Sequence, residues 1–504
     1  MRVALAAATG VLVAASFLEF SLWPLAWVSF LPLLWALHAP LPRRDTVVLG
    51  LVAGLVTNVP AFHWLVYTMK VFGGFPLIVA LFFYACLSLY SACQFVLFAL
   101  ALQRCGWGPL ALLPAVFWVG LEFLYPNLFP WRLANTQFHV PVLTQIGDVT
   151  GPFGLSFVIV WAQAALVATL RERRRWPALA AAAAAAAVVI AYGAWRMPVV
   201  QAAIDAAPVV RVGLVQGNIG IVEKRDVAYF DVNIQRYRQL SAPLEKDVDL
   251  LIWPETVSQE WVPTDVEQLP PDADPYPGLT RPLIYGGLSF TPLGGRRYEK
   301  FNSAFLVGPQ ARVLGRYDKH VLLPFGEYLP GASLFPALAK LSPQTGDFTP
   351  GNRIVTLDVP RQGEPAGEPL MRVAPLVCYE DVPSGIARAM TQTGAEALLT
   401  MFNDAWFGRS IAPYQHEALA LWRAIENRRY FLRVGNAGVT GVVDPFGNVV
   451  ARLGLFTEEI LRAEIRPLRI TSVYTRIGDL FGWSVVAAAA AALLAARKIT
   501  RSAT

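Results

Sequence analysis

The chain contains apolar runs long enough to cross a lipid bilayer, and they fall into two groups separated by a long, more polar segment. A helix needs about 20 mostly apolar residues to span the hydrocarbon core. By this rule we count eight candidate spans, at residues 3–20, 22–39, 46–69, 76–103, 109–125, 152–170, 177–196 and 479–497. The composition agrees, because 55% of the residues are hydrophobic and only 15% are charged, against about 25% charged in soluble proteins. The sequence therefore predicts a polytopic α-helical membrane domain.

Short clusters of basic residues at the ends of these runs predict how the chain crosses the membrane. They lie at Arg43 and Arg44, at Arg104, in RERRRW (171–176) and in ARKITRS (496–502). Because positive charges concentrate on the cytoplasmic side of membrane proteins, all four clusters favour cytoplasmic termini and place residues 198–477 on the outer side. Topology thus explains the net charge of +6 better than a nucleic acid partner, which we do not expect.

The segment between the two groups of spans is predicted to be an independent α/β domain. Its apolar stretches are short and bounded by Pro and Gly, which is typical of strands. Strands are predicted at 209–218, 248–256, 282–290, 302–308, 373–381 and 397–404, with at least two more in 429–452, and helices at 222–240 and 413–428. Near-continuous apolar strands that alternate with helices indicate a sheet buried on both faces. The predicted domains are a seven-helix membrane domain (1–197), an outer domain (198–477), and a last helix with its tail (478–504).

Three segments of the outer domain carry polar side chains where a strand ends or a turn follows. LLIWPET ends in Glu255, RYDKHVLLPFGEYLP contains Lys319 and Glu327, and PLVCYED contains Cys378. In α/β sheets, chemistry gathers at the ends of strands. A thiol attacks well only when a base or a positive charge raises its thiolate fraction, and an ester carbonyl under attack needs donors for its oxyanion. One acid, one amine and one thiol therefore form a plausible set for acyl transfer.

Each of these residues also has an ordinary interpretation. A cysteine at a strand end is often a small core residue, Glu255 can cap a helix, and Lys319 can be a surface charge. Cys378 differs from a core cysteine in one respect, because the three other cysteines lie within or at the end of the fourth apolar run: Cys86, Cys93 and Cys105. It therefore has no disulfide partner in an outward-facing domain, where an unused thiol is a liability.

Taken together, LLIWPET, GRYDKHVLLPFGEYLP and PLVCYED resemble the Glu–Lys–Cys signature of the nitrilase superfamily. Within a chain of eight spans, they resemble most closely the branch of that superfamily that N-acylates bacterial lipoproteins. The resemblance extends to VQGNI (215–219), FNSA (301–304), NDAWFG (403–408) and RAIENRRYFLRVGNAGVTGVVDPFG (423–447). It implies that the outer domain is a nitrilase-like α-β-β-α sandwich.

The resemblance also implies roles for single residues. Glu255 would be the general base, Lys319 the stabiliser of the oxyanion, and Cys378 the nucleophile. Three further residues would shape the pocket and orient this triad: Glu327, Tyr379 and Glu380. One departure concerns the loop after QGNI, where many relatives carry a tryptophan and this chain has Lys224 and Arg225. The details of the substrate-facing loop therefore stay open.

The implied reaction has two halves. Cys378 accepts the sn-1 acyl chain of a membrane phospholipid as a thioester and passes it, in a ping-pong sequence, to the α-amino group of the diacylglyceryl-cysteine of an apolipoprotein. This is the last step of bacterial lipoprotein maturation. The implied partners are the phospholipid donor, the diacylglyceryl apolipoprotein and the lipid bilayer, for a monomer in the bacterial inner membrane with its catalytic domain in the periplasm. No cofactor is needed, and no metal is expected, because His320 and His416 lack metal-ligand spacing.

Two other functions remain open on sequence alone. A membrane-tethered nitrilase-type amidase would use the same three residues, but it gives no reason for eight spans. A transporter with an outward binding domain would need charged or broken helices along a substrate path, and the spans contain few of these. Two apolar loops, 125–138 and 329–341, are expected either to dip into the membrane interface or to pack the outer domain onto its helices.

Overall fold

The computed structural model describes residues 1–504 except 221–222, 225, 325, 329–345, 362–366 and 503–504. Within it the chain divides into two compact units. The first contains Met1–Lys70, Phe75–Val199 and Ile477–Thr504, and the second contains Val71–Gly74 and Val200–Arg476. Arg225 and the loop 329–341, both singled out in the sequence, lie outside the described residues.

The first unit is built from α-helices. They are α1 (Arg2–Leu18), α2 (Leu31–Leu37), α3 (Arg43–Ala61), α4 (Trp64–Val71), α5 (Leu77–Cys105), α6 (Leu113–Leu124), α7 (Pro141–Thr144), α8 (Gly147–Thr150), α9 (Phe153–Arg171) and α10 (Trp176–Ala206). Short 3-10 helices occur between them at Phe20–Trp27, Pro109–Ala111, Leu133–Gln137 and Arg173–Arg175.

Five helical segments of the described chain are long and apolar enough to cross a membrane: Phe20–Leu37, Leu77–Cys105, Phe153–Arg171, Arg173–Ala206 and Leu480–Arg497. A sixth is obtained if α3 and α4, which meet at a bend of 55°, form one broken span. Helices α1 and α6 are apolar but shorter. The apolar helices expected of a membrane protein are thus present, whereas the number eight, which requires both shorter helices to cross, remains a prediction.

Helix α3 packs closely on α5 because two of its residues are glycines. A Cβ atom on Gly54 would lie 2.5 Å from the Cα of Ala92, and one on Gly50 would lie 2.6 Å from the Cα of Val96. The two glycines are one helical turn apart, which is the spacing that lets membrane helices approach each other closely. A larger side chain at either position would separate the two helices.

The second half of the loop 125–138 is buried within the first unit. Leu133–Gln137 form a 3-10 helix whose residues are all buried. The main-chain N–H of Leu133 and the indole N–H of Trp118 both donate to the carboxylate of Glu122, each at 2.8 Å. This half of the loop is therefore part of the packed helical unit. It is not the segment dipping into the membrane interface that its composition had left open as one alternative.

The second unit contains two mixed β-sheets. Their strands are β1 (Val210–Gln216), β2 (Leu250–Ile252), β3 (Trp261–Pro263), β4 (Leu283–Pro292), β5 (Tyr298–Val307), β6 (Val313–Asp318), β7 (Leu357–Val359), β8 (Met371–Val377), β9 (Ala397–Phe402), β10 (Tyr430–Gly435), β11 (Gly441–Val443), β12 (Val449–Arg452) and β13 (Glu459–Ile465). One sheet has the order β13-β1-β2-β4-β5-β6, with β3 also paired to β4, and the other has the order β12-β11-β10-β9-β8-β7. The central strands are parallel in both sheets: β1, β2 and β4 in one, and β8, β9 and β10 in the other.

Five helices lie in the described part of this region, and three of them pack on the sheets. They are α11 (Phe230–Ser241), α12 (Ser384–Gln392), α13 (Ala412–Ala420), α14 (Trp422–Asn427) and α15 (Val473–Ile477), while the C-terminal helix α16 (Leu480–Ser502) belongs to the first unit. Helix α11 packs on β1 and β13, α12 packs on β8, and α14 packs on β10. The sheets contact each other through β6 with β7, β1 with β10, β5 with β8, and β12 with β13. The α/β architecture predicted for this part of the chain is confirmed.

Both helix predictions in this unit need correction. Of the helix predicted at 222–240, residues 222 and 225 lie outside the described residues, and Glu223 and Lys224 are helical. Helix α11 begins at Phe230, after a 3-10 turn at Val227–Tyr229. The carboxylate of Asp226 accepts the N–H of Ala228 at 3.0 Å, which favours a turn over a continuous helix. The helix predicted at 413–428 is divided at Leu421 into α13 and α14. It ends where Arg428 adopts a left-handed φ of 53°, a common way for helices to stop.

Candidate active site

Cys378 lies where β8 ends and a tight turn begins. Its φ is +54°, in the left-handed region that residues other than glycine rarely adopt. It opens the 3-10 turn Cys378–Asp381 and is partly exposed, whereas β8 before it is almost entirely buried. Backbone strain of this kind is concentrated at functional sites. The fold thus holds the thiol in a strained turn at the rim of the sheet.

Glu255 lies in a second turn, which β4 holds in place. The main-chain N–H of Gly286 donates to Pro254 at 3.1 Å, and the carbonyl of Gly286 accepts the N–H of Val257 at 2.8 Å. A Cβ atom on Gly286 would lie only 2.3 Å from the nitrogen of Thr256, so the turn can approach β4 this closely only because residue 286 is a glycine. The carboxyl group of Glu255 is buried in this position.

Lys319 follows β6 and lies between two carboxylates. Its Nζ is 2.7 Å from Oε2 of Glu327 and 3.9 Å from Oε1 of Glu255. Asn302, on β5, links the same two carboxylates, because its Nδ2 donates to Glu255 at 2.9 Å and to Glu327 at 3.0 Å. The ammonium group is 1% exposed. The two acids are therefore held beside each other by one buried cation and one amide.

The buried charges keep the resting thiol protonated. Burial, and then the charge of Glu255, raise the pKa of Cys378 well above its usual range, and Lys319 opposes this only in part. Burial also raises the pKa of Glu255, which makes its carboxylate a better proton acceptor than one in water. Burial lowers the pKa of Lys319, but the negative charges around it outweigh burial and the net shift is upward. The arrangement suits a nucleophile that is deprotonated by Glu255 and not by solvent.

Glu380 connects the turn of Cys378 to the segment that carries Lys319. Its side chain is completely buried. One carboxylate oxygen accepts from the hydroxyl of Tyr317 at 2.7 Å and from two main-chain N–H groups, those of His320 at 2.7 Å and Val321 at 2.9 Å. The other accepts the N–H of Val377 at 2.8 Å. Glu380 therefore fixes the position of the thiol relative to Lys319.

The structure thus brings together Glu255, Lys319 and Glu327 by direct contact, and places Cys378 where their charges act on its pKa. Tyr379 lies in the turn of Cys378, where its carbonyl accepts the N–H of Val382 at 3.1 Å. Asn302 was not assigned from the sequence, although it lies in the quoted FNSA segment. The sequence marked Asn302 only as part of that motif, and its contacts with the two carboxylates depend on the pairing of β4 and β5.

A buried ionic network adjoins the turn of Cys378. Asp381, the last residue of that turn, contacts Nε2 of His416 at 2.8 Å and accepts from Arg433 at 2.8 Å, and Asp404 lies 3.1 Å from Nδ1 of His416. Burial lowers the pKa of His416, but the two carboxylates outweigh it and raise the pKa to about 9. From the sequence, His416 was noted only for lacking metal-ligand spacing. In the structure it is a buried charged link between two turns.

We expect His416→Gln to destabilise the protein and to remove part of its pH dependence. Because the pKa of His416 is about 9 in the folded chain and 6.5 as the reference value, its stabilisation is complete below about pH 6.5 and declines as the pH rises through about 9. Removing one partner of a buried ion network costs roughly 3–5 kcal/mol. Thermal unfolding of the purified protein between pH 6 and pH 10 measures both effects.

The control for this substitution is His63→Gln, at an exposed histidine of the first unit. It should leave the melting temperature and its pH slope unchanged. Glu417 also lies in the field of these charges and burial raises its pKa, so some pH dependence persists in His416→Gln. An unchanged slope between pH 7 and pH 10 in that variant contradicts a charged His416.

Among the described residues, no group of three or more His, Cys, Asp and Glu side chains is arranged to hold a metal ion. The site offers acids, amines and one thiol as its reactive groups.

Comparison with known proteins gives matches along almost the whole chain. Residues 9–165 match the apolipoprotein N-acyltransferase N-terminal domain, and residues 211–475 match the carbon-nitrogen hydrolase family. Relatives named apolipoprotein N-acyltransferase include one from Geobacter metallireducens, 36% identical over 98% of this chain and 95% of the relative. Another, from Pseudomonas aeruginosa (strain UCBPP-PA14), is 31% identical over 93% and 91%. Among solved structures, Saccharomyces cerevisiae Nit3 of the nitrilase superfamily matches at 20% identity with a TM-score of 0.37, over 51% of this chain and 90% of that one.

Proposed function

Because the chain belongs to the apolipoprotein N-acyltransferase family, we propose that it transfers the acyl chain through Cys378, with Glu255 as the general base and Lys319 as the stabiliser of the oxyanion. The observation that carries this proposal is the contact of Lys319 with two buried carboxylates next to a strained cysteine turn. Glu255, Lys319 and Cys378 together provide a base, a fixed positive charge and a nucleophile. No other reactive group is needed for acyl transfer.

In the first half-reaction, Glu255 accepts the proton of the Cys378 thiol and the sulfur attacks the sn-1 ester carbonyl of a membrane phospholipid. The carbonyl oxygen gains the electron pair of the broken π bond, and the Lys319 ammonium stabilises the resulting negative charge. When the tetrahedral species collapses, the bond to the glycerol oxygen breaks. Glu255 returns its proton to that oxygen, so a lysophospholipid leaves and a thioester remains on Cys378.

In the second half-reaction, the α-amino group of the diacylglyceryl-cysteine of an apolipoprotein attacks the thioester. An α-amine has a pKa of about 8, so a useful fraction is neutral at pH 7. Glu255 accepts the proton of the attacking amine and passes it to the Cys378 sulfur as the thioester bond breaks. The amide product is the N-acylated lipoprotein, and the thiol is restored. The two substrates thus use one site in turn, which is a ping-pong sequence.

The supporting residues have roles that follow from their contacts. Glu327 holds the Lys319 ammonium at 2.7 Å, and Glu380 joins the turn of Cys378 to the segment after β6. Tyr379 immediately follows the nucleophile, and we propose that its position in the turn shapes the pocket. These residues keep the reacting groups in place and do not exchange protons in the scheme.

The same proposal places the protein in the bacterial inner membrane as a monomer, with eight spans, both termini in the cytoplasm, and residues 198–477 in the periplasm. The distribution of basic residues supports this orientation, because Arg43, Arg104 and the run 171–176 fall on one side. The domains proposed are 1–197, 198–477 and 478–504. Phospholipid and diacylglyceryl apolipoprotein are then both presented at the outer surface of the bilayer.

A labelled phospholipid tests the proposed function. The purified full-length protein is incubated in detergent with a phospholipid that carries a radioactive sn-1 acyl chain and with no acceptor. We expect close to one label per chain, bound to Cys378 and released by hydroxylamine, as a thioester is. Adding a diacylglyceryl peptide with a free α-amine should move the label to the peptide.

Two controls make this test specific. A phospholipid labelled at sn-2 should leave the protein unlabelled, and an acceptor peptide with an acetylated α-amine should leave the label on Cys378. If no thioester forms and small amides are hydrolysed instead, the amidase interpretation replaces the acyltransferase one.

A further inference from the structure

A second lysine, Lys224, reaches the turn of Glu255. It precedes Glu255 in the chain, whereas Lys319 follows it. Lys224 lies between β1 and α11, in the segment that follows QGN, and its backbone is helical. Its Nζ donates a hydrogen bond to the main-chain carbonyl of Glu255 at 2.7 Å. The side chain is partly buried and lines a small pocket together with Thr256, Val257 and Asn436. Lys224 has no role in the two half-reactions proposed for Cys378, Glu255 and Lys319.

The hydrogen bond acts on the main chain of the proposed base. Pro254 and Val257 are held by Gly286 on β4, and Thr256 has a left-handed φ of 50°. The carbonyl of Glu255 lies between these fixed points, and Lys224 supplies a charged donor to it. Charge-assisted hydrogen bonds are stronger than neutral ones. Lys224 therefore completes the set of contacts that fixes the turn of Glu255.

The charges of the site give Lys224 a second role. Glu255 and Glu327 share the single ammonium of Lys319, at 3.9 Å and 2.7 Å. When Glu255 takes the proton of Cys378, the negative charge passes to sulfur, while Glu327 keeps Lys319 engaged. A buried negative charge without its own partner is costly. A second cation near the sulfur lowers that cost.

Lys224 reaches the proposed base directly, because its Nζ lies 2.7 Å from the main-chain carbonyl of Glu255. Burial raises the pKa of Glu255, and both Lys319 and Lys224 lower it. Burial lowers the pKa of Lys224 to about 8, against the charges of Glu255 and Cys378, which raise it. The ammonium is therefore charged at pH 7 and becomes neutral above about pH 8.

Two further titratable groups lie around Lys224. Glu223 precedes it in the chain and directs its carboxylate to the N–H of Gly220 at 3.4 Å. Tyr237, on α11, lines the same pocket, and its hydroxyl donates to Asn436 at 3.1 Å; burial raises the pKa of Tyr237, so that it stays neutral. Glu255 and Cys378 remain the charged or ionising partners that face Lys224.

We propose that Lys224 is a positioning residue of the acyl-transfer site, which holds the main chain of Glu255 and supplies the second positive charge beside which the Cys378 thiolate forms. This inference rests on the proposed function, because it needs Cys378 as the nucleophile and Glu255 as its base. It assigns Lys224 a direct influence on the ionisation of the thiol. The proton still moves from the Cys378 sulfur to the Glu255 carboxylate, and Lys224 exchanges no proton in the step.

The experiment separates charge from hydrogen bonding with three substitutions in the full-length protein. Lys224→Met removes both, Lys224→Gln keeps a donor without charge, and Lys224→Arg keeps the charge. Lys246→Met is the control, at an exposed lysine beyond α11. All are made in a background in which the other cysteines are serine, so that iodoacetamide reports on Cys378 alone.

Two rates are measured as a function of pH: alkylation of Cys378 and formation of the acyl-enzyme from labelled phospholipid. An opposite charge close to an ionisable group shifts its pKa by about 1–3 units. We expect Met and Gln at position 224 to slow alkylation at pH 7 by about tenfold or more and to move its pH profile upward by about one unit. Acyl-enzyme formation should slow by about 10- to 100-fold. Lys224→Arg should keep the profile of the unaltered chain below about pH 8, where Lys224 is charged.

The outcomes test the role of Lys224 independently of the proposed acyl-transfer function. If Lys224→Met and Lys224→Gln keep the alkylation profile of the unaltered chain, or if Lys246→Met shifts it equally, Lys224 does not supply the charge and the proposal fails. A slower acyl-enzyme step with an unmoved alkylation profile also overturns it, because a structural role alone gives that result. Alkylation needs no lipid, so it answers the question even if the unaltered protein forms no acyl-enzyme, a result that contradicts the proposed function alone.

Discussion

Cys378→Ser is expected to give a folded protein that forms no acyl-enzyme and whose rate of acyl transfer falls by about 10⁴-fold or more. A hydroxyl group ionises far less readily than a thiol, and Glu255 cannot remove its proton at neutral pH even though burial raises the pKa of that carboxyl group. Removing the nucleophile of a catalytic triad costs on the order of 10⁶-fold in a well-studied protease. The site retains Lys319, so substrate binding should change little.

The measurement compares acyl transfer and thioester formation for this variant with those for Cys93→Ser, which changes a cysteine of α5 in the first unit. The control should keep full activity. The melting temperature of Cys378→Ser should stay within a few degrees of the unaltered chain, because the side chain is only partly buried and the left-handed φ of +54° is unchanged. Retention of more than about one tenth of the transfer rate would falsify the role of Cys378 as nucleophile.

The three residues proposed to react could be picked out of the sequence by their local surroundings. Glu255 and Cys378 come after apolar runs that became β2 and β8. Lys319 was picked out in a turn-rich segment, and the strand that precedes it, β6, was not predicted. Runs of buried apolar residues identify strands without knowledge of their neighbours. The polar residues at the ends of these strands therefore lie at the edge of the sheet. The resemblance to a known signature added the roles.

The residues that connect the site could not be predicted in the same way. Asn302 contacts both Glu255 and Glu327 only because β5 pairs with β4 in one register. The carboxylate of Glu380 meets a tyrosine and two main-chain N–H groups that are about sixty residues away in the chain. His416 lies on a helix that brings it to Asp381. Each contact depends on tertiary packing, and a single sequence carries no local signal for it.

The fold shows the same division between local and long-range information. The strands β3, β6, β7 and β13 were not predicted, since three to seven residues with mixed burial leave little periodicity to detect. The apolar runs of the membrane unit were found, but the sequence did not show where one span ends and the next begins. Helices α3 and α4 meet at a 55° bend, and an apolar run does not reveal where its helix breaks.

Lys319→Met is the second substitution with a large expected effect, and it should act on both catalysis and stability. Loss of one oxyanion donor typically lowers the rate by about 10²–10³-fold. Lys319 also holds Glu327 at 2.7 Å and Glu255 at 3.9 Å, and its ammonium is almost fully buried. Removing one partner from such a buried ion set costs roughly 3–5 kcal/mol. The variant should therefore melt at a lower temperature and transfer acyl chains slowly even where it is folded.

The double variant Lys319→Met, Glu327→Gln separates the two effects. Neutralising Glu327 removes one of the two carboxylates that lost their cation, so the double variant should recover a large part of the lost melting temperature. It should not recover activity, because the oxyanion still lacks the Lys319 ammonium. Melting temperature and acyl-enzyme rate, measured on the same preparations, give the comparison. If the rate recovers in parallel with stability, Lys319 acts only by holding the two acids, and the stabilisation of the oxyanion must come from another donor.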